Sequence, residues 1–234
     1  MATTETVLRN KSKAKKPYYL ADGTHVPGAS TISGMLAKKA LEVWHNKMGL
    51  QGIDTATYVD DLANIGTAAH AAIIADLSGG VAEDALVELD PASRDAAENC
   101  YLSFCAWRNQ HDLKPMFLEH EFVSEALRFG GRADYFGLVD GALELIDLKT
   151  GKGIYDNFWN QLAGYSILLN ENDLWPVRYR ILNIPRANTE DFKEEDKNDL
   201  APHKEIFKRL LEIYWIQKSL SGTKGQRGGS HAKP

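Results

Sequence analysis

Within Leu145 to Gly153 (LIDLKTGKG), Asp147 and Lys149 stand two residues apart. On a strand, such a pair projects from one face while Leu148 turns the other way into packing. An acid and an amine side by side at a strand end suit metal-assisted hydrolysis. The carboxylate binds a divalent cation, and the ammonium orients the attacking water or offsets charge growing on a phosphoryl oxygen. An exposed ion pair on a sheet face has the same spacing, so this motif alone decides little. Thirteen residues before Asp147 comes Asp134, in Gly130-Gly131-Arg132-Ala133-Asp134. The glycines permit a bulge or a close approach, and the strand carrying Asp134 is expected to pair with that of Asp147. Two carboxylates on neighbouring strands meet the need of a hard cation such as Mg²⁺ or Mn²⁺.

Three further groups are candidates. Glu119 and Glu121 alternate with His120 and share a strand face; either could help hold metal, and an edge-strand charge row explains them equally well. His70 ends the small-residue stretch Ile65-Gly66-Thr67-Ala68-Ala69-His70, which lets a helix pack closely on a sheet. It becomes a nitrogen ligand if that helix passes over the two aspartates. Gln161 and Tyr165 are four apart on one helical face. They could contact a phosphate or ribose, or tie their helix to the strand of Asp147. The remaining histidines have no comparable context.

The elements that must position these residues follow from periodicity. Tyr18 to Pro27 reads as a hairpin turning at Asp22-Gly23. A helix is expected from Ser30 or Thr31 to about Gly49, a second from Tyr58 to Leu77, and a third behind Asp90-Pro91 to about His111. Then the apolar period shifts from helical to alternating, giving strands at 116–123, 127–138 and 142–149. Asp156 can cap a helix to Asn170, a fourth strand covers 177–184, and an amphipathic helix carries Ile206, Leu210, Ile213 and Leu220. This order predicts an α+β domain with a mixed sheet rather than a Rossmann alternation.

The 234 residues suit one domain with extensions. Residues 1–16 carry five lysines and arginines against Glu5, and the last seventeen carry four with no acid, yet the net charge is −5. The expected layout is a basic flexible tail over 1–16, one acidic domain over 17–219 and a Gly-rich basic tail over 220–234. Bulk charge on such a body does not favour nucleic acid, although the tails could touch phosphates. Cys100 and Cys105 lack the spacing and number for structural zinc or an iron–sulfur cluster. No apolar run approaches a membrane span, and the N-terminus has no secretory pattern, so a cytoplasmic protein is expected.

Taken together, Gly66-Thr-Ala-Ala-His70, Gly131-Arg-Ala-Asp134, Ile146-Asp-Leu-Lys149 with Thr150-Gly151, and Gln161-Leu-Ala-Gly-Tyr165 resemble the ordered motifs of the PD-(D/E)XK nuclease superfamily. They are most similar to its RecB-like branch of phage-type exonucleases. Val26-Pro-Gly-Ala-Ser-Thr-Ile, with Leu36-Ala-Lys-Lys-Ala-Leu behind it, resembles the lead-in of phage members. The resemblance spans about residues 17–185. It implies a restriction-endonuclease-like core, a four-stranded mixed sheet flanked by helices. It also implies Mg²⁺ or Mn²⁺ held by His70, Asp134, Asp147 and the Leu148 carbonyl, with Lys149 as the catalytic lysine and Gln161 and Tyr165 supporting the site and the DNA backbone. The implied activity is a metal-dependent deoxyribonuclease, an exonuclease in recombination, repair or phage DNA metabolism. DNA would be its substrate and a single-strand-annealing or recombination protein a candidate partner. Iron–sulfur members use four cysteines and this chain has two. The competing readings are a catalytically silent DNA-binding scaffold on the same fold, and an ordinary α+β metabolic domain, for which no phosphate loop or nucleophile elbow is present.

Overall fold

A computed structural model describes residues 17–36 and 39–225. The N-terminal hairpin pairs β1 (Tyr18–Tyr19) with β2 (His25–Val26), and Gly23 takes the left-handed backbone its turn needs. Next come α1 (Ala29–Ser33), α2 (Lys39–Leu50) and the long α3 (Thr55–Leu77). Asp54 caps α3, and Asp90 caps α4 (Pro91–Arg108) with its carboxylate on the Ala92 and Ser93 N–H groups.

The sheet then assembles from consecutive segments. β3 (Leu113–Ser124), β4 (Phe129–Val139) and β5 (Ala142–Thr150) form an antiparallel meander. The crossover helix α5 (Asp156–Asn170) leads to β6 (Arg178–Ile184), parallel to β5, and β7 (Lys193–Lys197) adds antiparallel to β6. α6 (Ala201–Gly225) closes the described chain. The order β3-β4-β5-β6-β7 gives the mixed sheet of an α+β fold.

Two apolar cores lie on opposite faces of this sheet. On one, Phe129, Phe136, Leu145 and Ile181 pack with α1, α5 and α6 through Ile32, Leu162, Leu168 and Phe207. On the other, Tyr135, Ile146, Leu148 and Leu182 pack with α3 and α4 through Ala69, Ile73, Cys100 and Phe104. The alternation of Leu145 and Ile146 between cores is the period of two at work. Between β5, β6 and β7, the buried Glu144 accepts two bonds from Arg180, at 2.8 and 3.0 Å. Arg180 also pairs with Glu194, which accepts from the Trp107 indole.

The differences from expectation are local. The sheet has five strands rather than four, because β7 (KEEDK) is built entirely of charged residues and has no apolar alternation to betray it. The helix expected over 30–49 is two helices, α1 ending at the turn around Gly34. Asp156 is the first residue of α5, not its cap; Tyr155 holds that position, and its side chain makes no capping hydrogen bond to the first turn. α6 runs on to Gly225, into the segment read as a tail. The tail at 1–16, Ala37 and Lys38 of the lead-in, and residues 226–234 lie outside the described residues. At β3, register shifts between Pro115 and Phe117, and Gly137 opposite leaves room for it: a Cβ there would lie 2.4 Å from the Lys114 carbonyl oxygen. No helix among the described residues is long and apolar enough to cross a membrane.

Candidate active site

The β4–β5 ladder stops at Tyr135↔Ile146. Two residues beyond Ile146, the backbone N–H of Leu148 donates to Asp134 Oδ2, at 2.8 Å. The carboxylate thus replaces the ladder where the strands part, and its other oxygen is left for the site. Asp134 Oδ1 lies 3.7 Å from His70 Nδ1. That approach depends on the small residues of α3: a Cβ on Gly66 would come within 2.8 Å of Thr150 Oγ1 at the end of β5. The helix therefore crosses the tip of the sheet, and His70 reaches Asp134.

Glu119 joins them. It lies opposite Asp134 across the β3–β4 pair, between Leu118↔Tyr135 and His120↔Ala133, with a left-handed backbone (φ +44°). One ligand atom from each of His70, Glu119 and Asp134 falls within 4.8 Å of the others. Like charges opposite one another on a sheet repel, so a cation between these carboxylates relieves a real conflict. Arg132 partly offsets it, its guanidinium 3.7 Å from Glu119.

Asp147 lies outside that group of three and is paired instead. Fully buried, it holds Lys149 Nζ 2.6 Å from Oδ2, while Gln161 Nε2 donates weakly to Oδ1 at 3.4 Å. The ammonium of Lys149 is thus the charge partner of Oδ2. Gln161 Nε2 also donates to the Tyr165 hydroxyl, at 2.6 Å. Burial pushes the Asp147 carboxyl up to about 6; Lys149 opposes the rise and Asp134 adds to it. Burial also works against ionisation of Asp134, but His70, Lys149 and the Leu148 N–H outweigh it and hold its carboxyl below the usual range. In His70 burial again opposes the charge, and Asp134 prevails, raising the imidazole. Burial and the two aspartates raise the Tyr165 hydroxyl well above its ordinary value, so it is a neutral group.

The tandem glycines of β4 serve two tyrosines. A Cβ on Gly130 would come within 2.4 Å of the Tyr18 ring, and one on Gly131 within 2.8 Å of the Tyr165 ring. Tyr18 brings the N-terminal hairpin against β4, where Gly130 N–H donates to the Pro27 carbonyl. The result is a cleft of about 420 Å³, walled by the hairpin, α1, α3, β3, β4, α5 and Tyr214 of α6. His70, Asp134, Lys149, Gln161 and Tyr165 all line it, with Glu119, Glu121 and Arg132.

The structure thus brings six of the anticipated side chains into one neighbourhood: His70, Asp134, Asp147, Lys149, Gln161 and Tyr165. The Leu148 N–H donates to Asp134 Oδ2. Glu119, left open from sequence, is drawn in by strand register; its position opposite Asp134 is the signal that could have selected it over Glu121, which pairs with Arg132. Tyr18 and Arg132 were not singled out. The donor set fits a hard divalent cation: carboxylate oxygens with one imidazole and no thiolate.

No protein-family model matches the sequence, and no curated protein matches it. Among solved structures, the chain is similar to a provisionally named exonuclease from Eubacterium rectale, at 10% identity and a TM-score of 0.47, covering 73% of this chain and 76% of that one. It is also similar to the alkaline exonuclease LHK-Exo of Laribacter hongkongensis, at 13% identity and a TM-score of 0.36, covering 84% and 93%. A second structure of LHK-Exo, in complex with dAMP, gives 12% identity and a TM-score of 0.34 over 67% and 97%.

Proposed function

We propose that this chain is a divalent-metal-dependent deoxyribonuclease that hydrolyses phosphodiester bonds, acting as an exonuclease. The observation that carries the reading is a His–Glu–Asp cluster that lines one cleft with Lys149, the lysine bound to the buried Asp147 behind it. The motifs' resemblance to PD-(D/E)XK nucleases supports it from the sequence side.

His70, Glu119 and Asp134 would hold Mg²⁺ or Mn²⁺, with Asp147 beside them. Bound there, the ion supplies Lewis acidity to the phosphate and acidity to water. Lys149 has a distinct task. Asp147 Oδ2 and the Phe158 ring, 5.2 Å from Nζ, hold its ammonium at the cleft wall. It orients the water that attacks phosphorus and offsets the charge that grows as the P–O ester bond breaks. Gln161 fixes Asp147 and Tyr165 through one amide nitrogen, and Tyr165 seals the floor against Gly131. A phosphate monoester and a free hydroxyl are the products.

The test is end-labelled linear DNA, single- and double-stranded, incubated with Mg²⁺, Mn²⁺ or EDTA. Stepwise loss of label in metal, abolished by EDTA and lowered on the order of 10²–10³-fold by Lys149→Ala, is the expected result. DNA that stays intact in both metals while a gel shift persists in EDTA would make the chain a binding protein instead.

A further inference from the structure

Lys149 and Arg132 both line the cleft, but they are held differently. Lys149 is committed: its Nζ lies 2.6 Å from Asp147 Oδ2, and 18% of the side chain is exposed. Arg132 is held loosely. Its ion pair with Glu119 spans 3.7 Å, past hydrogen-bond range, and 40% of its side chain stays open. A guanidinium carries five N–H donors in a planar fork that can meet two phosphate oxygens at once. A fork so loosely paired, at the wall of a cleft, is open to a ligand.

The strand sets where that fork stands. Arg132 and Asp134 are two apart on β4, so they share a face, and Gly130 follows on it. The Tyr18 ring covers Gly130 and closes that end. Glu121, opposite Arg132 across the ladder, attracts it from the other side. Glu119 is common to two features. It partners Arg132, and its ligand atom lies within 4.8 Å of those of His70 and Asp134. The guanidinium is therefore beside any cation that Glu119 helps to hold. Two positive charges compete for one carboxylate. Once Glu119 binds a cation, the hold on Arg132 weakens, and a phosphate in the cleft is the anion that can replace it.

Resting on the nuclease reading above, we propose that Arg132 is a catalytic residue whose guanidinium passes from Glu119 to the non-bridging oxygens of the phosphate under attack. The water oxygen bonds to phosphorus and gives up a proton. The P–O ester bond breaks, its electron pair leaves with the ester oxygen, and that oxygen takes up a proton. Arg132 exchanges no proton; it offsets the charge that grows on the non-bridging oxygens. Lys149, tied to Asp147, is left to orient the water.

The test compares the full chain with Arg132→Gln and Arg132→Lys. Calorimetry gives the affinity for Mn²⁺, then, with Mn²⁺ present, for the phosphate monoester p-nitrophenyl phosphate. Turnover of bis(p-nitrophenyl) phosphate, which has a single phosphate, is read at saturating Mn²⁺. Arg132→Gln should bind Mn²⁺ at least as tightly as wild type, because a competing cation is gone. It should bind the monoester roughly 10–100-fold more weakly and turn over the diester on the order of 10²-fold more slowly. Arg132→Lys keeps the charge without the fork and should recover part of both losses. Weaker Mn²⁺ binding by Arg132→Gln would make the residue a support of the cation site and overturn the proposal. So would wild-type monoester affinity in that variant, no monoester binding by wild type, or slowed DNA hydrolysis with the one-phosphate ester unaffected. If wild type hydrolyses neither ester nor DNA, the nuclease reading falls, while the monoester titration still decides whether Arg132 binds phosphate.

Discussion

The ring of Tyr165 occupies the space where Gly131 has no side chain: a Cβ on Gly131 would stand 2.8 Å from both Cδ1 and Cε1 of that ring. Tyr165 is in turn tied to Asp147 through Gln161. A methyl group at Gly131 therefore presses on the site from below. Gly131→Ala should destabilise by about 1–3 kcal/mol, the range for overpacking a dense core, and should lower metal-dependent turnover while the protein remains folded. Urea denaturation with a parallel activity assay checks both. An unchanged midpoint would mean the ring moves aside freely.

Asp134 answers to two demands at once. Asp134→Ala removes the acceptor of the Leu148 N–H, a buried donor, and should cost about 1–3 kcal/mol. Asp134→Asn keeps an amide oxygen for that bond, so its stability should lie close to wild type. Both variants should lose Mn²⁺ binding measured by calorimetry. Equal destabilisation by Ala and Asn would contradict this separation.

The raised carboxyl of Asp147 makes the metal-free protein sensitive to pH. Held at about 6 by burial, it binds its proton more tightly folded than unfolded. The stability this gives is complete below about pH 4 and is lost as pH rises through about 6. In EDTA, wild type should lose stability relative to Asp147→Asn between about pH 4 and pH 6.5, with a constant difference at higher pH. Urea midpoints of the two proteins across that range make the check, and a difference that is flat throughout rules the mechanism out.

Glu144 is fully buried beneath Arg180, bonded through both carboxylate oxygens. Glu144→Gln leaves the Arg180 charge short of its main partner, an effect worth about 3–5 kcal/mol when a buried pair is broken on one side. The denaturation midpoint should fall accordingly, while metal affinity, set at the other end of β5, holds. A loss under about 1 kcal/mol would show that Glu194 alone satisfies the guanidinium.

Much of this architecture was legible because its residues obey simple periods. The hairpin turn at Asp22-Gly23, the cap at Asp90 and the alternation through β4 and β5 all lie near their expected positions. His70 was legible only as a condition, and the condition was met at Asp134 because Gly66 lets α3 approach Thr150. Glu119 stayed ambiguous because a strand's own sequence does not disclose its register; pairing with β4 separates it from Glu121. β7 escaped because hydrogen bonds to β6, not buried side chains, hold an all-charged segment as a strand. Tyr18 could not be chosen because its role depends on the absent side chain of Gly130, more than a hundred residues away.

That charged strand has a consequence for how copies of the molecule meet. A free sheet margin is a template on which another chain can add, and mixed charge or an irregularity is what discourages it. Here β7 presents lysines and acids along one margin, and Pro115 with its register shift breaks the other. Both borders of the sheet are therefore guarded against edge-to-edge stacking, and the five strands form a bounded array rather than the start of a longer one.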